Sequence, residues 1–156
     1  MAAMPFCAQL RAQSIKPDAV AVDTFWHSIM GVATDGTAAT PVLHPFDSRS
    51  AAVAKKLARR IDNAAQHRRT GSVLHPSYPP AKLVWLCETQ PDAFRRAARW
   101  MSFGEYLFLE FFGVAACSTS MISASGLWNQ NHVDQAYDPG FLDVLEELVD
   151  QTGTAS

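Results

Sequence analysis

Apolar positions along the chain switch between a period near two and a period near 3.6, and the switches divide it into elements. Residues 4–15 carry a short stripe, Phe6 and Leu10 among alanines, closed by Lys16-Pro17, which predicts a helix. "AVAV" (19–22) is an unbroken apolar run and predicts a buried strand of the kind found in parallel sheets. "SIMGVAT" (28–34) predicts a second strand, Asp35-Gly36 a turn, and residues 37–43 a third strand paired to it as a hairpin. Pro41 marks that third strand as an edge or as its own beginning.

From Ser50 to about Gln66 the pattern turns helical, with Val53, Leu57, Ile61 and Ala65 lining one face and Lys55, Lys56, Arg59 and Arg60 largely off it. Asp47, Ser48 or Ser50 can cap its first turn. "RTGSVLHPSYPP" is a loop, and "AKLVWLCET" starts a helix after two prolines, where a missing N–H costs least. Gln90-Pro91-Asp92 opens a short helix, "RWMSF" is a strand, and "GEYLFLEFFG" an apolar helix ended by Gly113. "CSTSMISASG" is a small-residue loop. Asp138-Pro139 opens the last helix, whose buried side holds Phe141, Leu142, Leu145, Leu148 and Val149. The order α-β-β-β-α-α-α-β-α-loop-α describes an α/β layered domain.

Composition narrows the class. A chain of 156 residues, 48% hydrophobic and 18% charged, folds around one core. Thirteen Lys and Arg against fifteen Asp and Glu leave a formal charge of −2, which gives no general reason to expect nucleic acid or an anionic membrane as partner. Basic residues crowd 49–69 and acidic ones, Asp134, Asp138, Asp143, Glu146, Glu147 and Asp150, crowd the end; both read as solvated helix faces. A nucleic-acid contact through the basic helix 50–66 is the weakest alternative. Cys7, Cys87 and Cys117 are odd in number, far apart and lack CxxC spacing, so neither zinc nor a disulfide framework is expected. The opening residues show neither a signal peptide nor a membrane span, and a reducing cytoplasm is the expected location.

Candidate chemistry lies in loops. The chain contains no GxxxxGK[ST], no GxGxxG, no HExxH and no GxSxG. In open α/β sheets ligands bind beyond the carboxyl ends of strands, and three segments occupy such places. Asp23–His27 brings Trp26 and His27; "LHPFDSR" (43–49) brings His44, Phe46, Asp47 and Arg49; "LHPSYPP" (74–80) brings His75, Ser77 and Tyr78. Rings that offer flat apolar contact beside charged groups that fix orientation suit a small hydroxyl-rich ligand. Each feature also has a plain structural reading: a packed Trp-His pair, Asp47 as a helix cap with Arg49 its partner, a rigid proline turn.

Taken in order, "VDTFWHSIMGVATDGTAATPVLHPFDSR", "TGSVLHPSYPPAKLVWL", "FRRAARWMSFGEYLFLEFFG" and "STSMISASGLW" resemble the N-terminal domain of the FGGY carbohydrate kinases, nearest to gluconate and xylulose kinases, over residues 18–148. The resemblance implies the ribonuclease-H-like (actin-like ATPase) fold, incomplete in this chain, with a mixed sheet and flanking helices. It implies a sugar held mainly by this domain and ATP held mainly by a second, with Mg²⁺ served by the Asp of the family's phosphate loop. It assigns Trp26 and His27 to a sugar-contacting dipeptide, Phe46, Asp47 and Arg49 to the mouth of the sugar pocket, and Ser77 and Tyr78 to a loop that approaches the sugar. "SMISASG" matches the small-residue segment lining the inner cleft.

The departures carry equal weight. The family's "D-x-G-T-[ST]" phosphate loop belongs before this chain's first matched strand, and its catalytic Asp in a "G-x-x-D" segment belongs beyond Ser156. The expectation is therefore a partial sugar-binding domain over 1–156, from a truncated frame or a gene fragment. It should bind ATP and Mg²⁺ poorly, be inactive alone, and self-associate through an uncovered cleft face. The alternative is a non-catalytic polyol-binding or scaffold half-domain. His44, His75 and Arg49 lean only slightly toward a sugar acid over a neutral ketose.

Overall fold

The computed structural model describes residues 3–19, 21, 23–131 and 136–153. In chain order the elements are α1 (Ala3–Ala12), β1 (Met30–Val32), α2 (Ala51–Ala58), α3 (Asn63–Thr70), α4 (Pro79–Thr89), α5 (Pro91–Arg96), β2 (Arg99–Met101), α6 (Phe103–Phe112), α7 (Thr119–Ser123) and α8 (Pro139–Gly153).

Both edges of β1 are occupied. β2 pairs with it antiparallel, Met30 opposite Met101, Gly31 opposite Trp100 and Val32 opposite Arg99. On its other side residues 38–43 return through bridges Val32–Ala38 and Ile29–Leu43, so the turn at Asp35-Gly36 does close a hairpin. The outer segment bulges because Pro41 has no N–H to give. Ala39 and Thr40 both donate to the Gly31 carbonyl, at 2.8 and 3.3 Å, and the Thr40 hydroxyl accepts from the Gly31 N–H at 2.8 Å. A side chain thus stands in for a ladder carbonyl.

Period-two alternation gives the sheet two buried faces. Met30, Val32 and Met101 pack with Phe103, Tyr106 and Leu109 of α6, while Ile29, Leu43 and Leu86 pack with Leu83 and Trp100. Gly31 sits where a Cβ would lie 2.7 Å from the Ala97 Cβ and 3.0 Å from the Trp100 ring. Gly31→Ala should therefore destabilise the chain by about 1–3 kcal/mol, read by urea unfolding, and Ala97→Gly in the same chain should recover part of the loss. The larger core is helical: Val53, Leu57, Val84, Leu127, Phe141 and Leu148 from α2, α4, α8 and the segment before Trp128 form one buried cluster.

Local signals explain the boundaries. Prolines occupy the first positions of α4 and α5. α6 opens with a capping box, Glu105 N–H donating to Ser102 Oγ at 3.2 Å and Ser102 N–H to Glu105 Oε2 at 2.7 Å, and closes on Gly113 at φ 70°.

Four expectations change. The helix expected over 50–66 is two helices, because Asp62 caps a new start by accepting from Ala65 N–H at 3.0 Å, while Asn63 Nδ2 donates to the Ala58 carbonyl at 2.9 Å. The apolar stripe stays in phase across the break and hides it. The small-residue loop contains α7, capped by Ser118. At 19–22, Ala19 and Ala21 are exposed and outside any strand, since both β1 edges are taken; Val20 and Val22 lie outside the described residues. Among the described residues the sheet is accordingly a two-stranded antiparallel one, without a parallel member. Of the predicted α1 stripe, Leu10 is half-buried, and the Phe6 side chain lies outside the described part. No helix of the described residues is long and apolar enough to cross a membrane.

Candidate functional site

The segment entering β1 is held by its aromatics. Phe25 stacks on Phe103 with ring centroids 5.4 Å apart, and His27 turns the chain in a left-handed conformation at φ 57°. His27 Nδ1 lies 2.8 Å from the Ala124 carbonyl. A carbonyl only accepts, so this bond assigns the proton to Nδ1 and leaves Nε2 an acceptor in the neutral ring. The Tyr78 ring meets the imidazole edge-on at 4.2 Å.

The 44–49 loop is folded on itself. Asp47 N–H donates to the His44 carbonyl at 3.0 Å, and Phe46 N–H to His44 Nδ1 at 3.1 Å. Asp47 accepts from three donors of Arg49: its backbone N–H at 3.1 Å, Nε at 2.9 Å to Oδ1 and 3.1 Å to Oδ2, and Nη2 at 2.5 Å. Asp47 is therefore the anchor of Arg49 rather than the cap of α2, whose N-cap Ser50 donates its hydroxyl to the Pro76 carbonyl at 3.0 Å. The Arg49 guanidinium holds the Asp47 carboxyl below its ordinary range. It also lies 4.3 Å from the centre of the Trp85 ring, a cation–π contact. In the third loop, His75 Nδ1 accepts from Ser77 N–H at 3.2 Å and lies 3.0 Å from Ser77 Oγ.

These segments are joined by a residue that sequence reasoning passed over. Lys82, on the first turns of α4, is 1% exposed, and its Nζ donates to the His27 carbonyl at 2.7 Å and the His44 carbonyl at 3.1 Å. Burial pushes its pKa down to about 8, opposed by the Asp47 carboxylate, so at pH 7 it is still an ammonium. A faint signal existed: Lys82 interrupts an otherwise apolar stretch, Pro79 to Leu86.

The six expected site residues do not all meet. His27 touches Tyr78, and Lys82 links His27 to the Asp47–Arg49 loop. Trp26, half exposed, lines a groove of about 450 Å³ with Phe108, Phe112 and Met121; His27 lines a neighbouring cavity of about 190 Å³ with Glu105, Cys117 and Tyr137. Neither depression is lined by Asp47, Arg49, Ser77 or Tyr78. Phe46 points into solvent at 88% exposure. Desolvation and the Glu105 carboxylate lift the Cys117 thiol to about 12, so it is no thiolate nucleophile at neutral pH. Among the described residues no group of three His, Cys, Asp or Glu side chains is arranged to hold a metal ion.

Residues 2–148 match the N-terminal domain of the FGGY family of carbohydrate kinases. The chain belongs to that family. It is 26% identical over 108 residues to a gluconokinase of Bacillus subtilis (strain 168), covering 69% of this chain and 21% of that protein. It is 30% identical over 125 residues to a xylulose kinase of Streptomyces coelicolor, covering 80% of this chain and 26% of that one. Among solved structures, a gluconate kinase from Lactobacillus acidophilus superposes with a TM-score of 0.75 at 25% identity, over 87% of this chain and 28% of that one. A Plasmodium falciparum glycerol kinase with ADP reaches 0.79 at 11% identity, over 95% of this chain and 30% of that one, a likeness of fold alone. This FGGY chain thus carries part of the actin-like, ribonuclease-H-like ATPase fold, and spans between 21% and 26% of the length of these two curated relatives.

Proposed function

We propose that this chain supplies the sugar side of an ATP-dependent carbohydrate kinase that transfers phosphate to a hydroxyl of a sugar or sugar acid in the cytoplasm. The observation that carries the reading is the family match over nearly the whole chain. Substrate-side roles go to Trp26, His27, Asp47, Arg49, Ser77 and Tyr78. His27 Nε2 can accept a hydrogen bond from a sugar hydroxyl, the Trp26 and Tyr78 rings offer faces to the C–H side of a sugar, and Arg49, oriented by Asp47 and Trp85, can donate.

In a carbohydrate kinase of this family ATP with Mg²⁺ would supply the phosphoryl group and neutralise its charge. The residues of this chain do not fit that pair: the described part offers no cluster of metal-ligating side chains, and the glycines are scattered rather than gathered into a phosphate cradle. What this chain can do is bind and orient. Phosphoryl transfer also needs positioned phosphates and a base for the hydroxyl.

The purified chain should therefore give no ATP- and Mg²⁺-dependent phosphorylation of gluconate or xylulose, yet show saturable heat in calorimetric titration with at least one of gluconate, xylulose and glycerol. Asp47→Ala, which frees Arg49, should weaken that binding about tenfold. Turnover by the chain alone would overturn the claim of inactivity. Silence toward all three polyols would favour the second reading, a scaffold half-domain. One observation supports that rival: α6 has no buried residue, and Phe108, Phe111, Phe112 and nearby Val114 are exposed.

A further inference from the structure

We propose that Lys82 is a positioning residue that sets the spacing of the two site loops by donating from one ammonium to the carbonyls of His27 and His44. The inference deepens the sugar-side reading and rests on it for the ligand, though not for the geometry.

A lysine is rarely fully buried unless its charge is answered by a partner. For Lys82 the partners are main-chain carbonyls 55 and 38 residues away along the chain, one at each loop. The helix bearing Lys82 is a stiff mount: its first positions are prolines, and Ala81, Val84 and Leu86 are wholly buried. Trp85, three residues on and so on the same side of α4, receives the Arg49 guanidinium. One helix face therefore grips the His27 corner through its carbonyl, the 44–49 loop through the His44 carbonyl, and the Arg49 head through its ring.

The two carbonyls are not equivalent. That of His44 has a second donor in Asp47 N–H at 3.0 Å. For the His27 carbonyl, Lys82 is the donor found among the described residues, and His27 sits at φ 57°, a conformation that must be held by its surroundings. Without the ammonium the 27–28 peptide loses the donor to its carbonyl and is held only through side chains, the His27 ring on the Ala124 carbonyl and the Ser28 hydroxyl between Phe25 and Phe103. Groups that orient a hydroxyl-rich ligand need to be fixed to about half an ångström, and this clamp fixes the His27 corner and the 44–49 loop relative to each other.

The test uses the full chain as wild type, Lys82→Met and Lys82→Arg. In the wild type, ¹⁵N NMR should find the Lys82 ammonium exchanging slowly with water, with cross-peaks to His27 and His44. In Lys82→Met, amides of 24–28 and 44–49 should exchange at least tenfold faster while those of α8 keep their rates, and Lys82→Arg, which can still donate to both carbonyls, should restore most of the protection. Where the wild type binds gluconate or xylulose, Lys82→Met should weaken that binding tenfold or more, with recovery in Lys82→Arg. Unchanged loop exchange in a folded Lys82→Met overturns the proposal. If that variant does not fold, a wild-type ammonium in fast exchange with water overturns it, and a slow one with both cross-peaks sustains it. A wild type that binds neither polyol while its loops respond as described sinks the sugar reading and leaves the clamp standing.

Discussion

Phe141→Ala is expected to lower the unfolding free energy by about 3–5 kcal/mol, the largest loss expected from truncating a single side chain of this core. Phe141 is 2% exposed and lies on α8 within the cluster that also holds Leu57, Val84 and Leu148, all at 1% exposure or less. Removing the ring takes apolar area out of contact and leaves a hole that three helices cannot all close at once. Total stability for a domain of this size is about 5–15 kcal/mol, so the variant approaches the unfolding threshold. Chemical denaturation of the two proteins measures it. A loss below about 1 kcal/mol would mean that α2, α4 and α8 do not share a cooperative core.

Asp138→Ala should cost about 2–4 kcal/mol, for a different reason. Asp138 is 1% exposed and does two jobs. Its Oδ1 accepts from Phe141 N–H at 2.9 Å, capping α8 with Pro139 at the first helical position, and its carboxylate receives Arg69 Nε and, at 3.2 Å, Arg69 Nη2, tying the end of α3 to the start of α8. Arg69 is 41% exposed, so water can take up the stranded guanidinium, and the loss stays below that of breaking a fully buried pair. Asp138→Asn keeps a capping oxygen and loses the charge, so it should fall between wild type and alanine in the same denaturation series. Equal losses in both variants would show that the charge matters and the cap does not.

What the sequence made legible was local. Pro79-Pro80, Gly113, Asp138-Pro139 and the Asp35-Gly36 turn each act within a few residues, and each lies where expected. What depended on a partner was not legible. The 19–22 run has the right composition for a strand, but a strand exists only where a ladder edge is open to it. The stripe of Val53, Leu57, Ile61 and Ala65 continued through a helix break because Asp62 restarts the helix with the same face inward. Among site residues, the pairing of Asp47 with Arg49 followed from their local spacing, whereas the meeting of His27 and Tyr78, far apart along the chain, did not. Neither did the role of Lys82, because its partners are carbonyls, which every residue possesses and no sequence pattern marks.

The corner at His27 has a consequence for how the chain balances its own demands. A non-glycine residue at φ 57° gives up about 1–2 kcal/mol of backbone energy, and the hydrogen bond from its ring to the Ala124 carbonyl returns about 1 kcal/mol. The two contributions are close in size and opposite in sign. On these two contributions alone, folding is nearly indifferent to an imidazole at this corner.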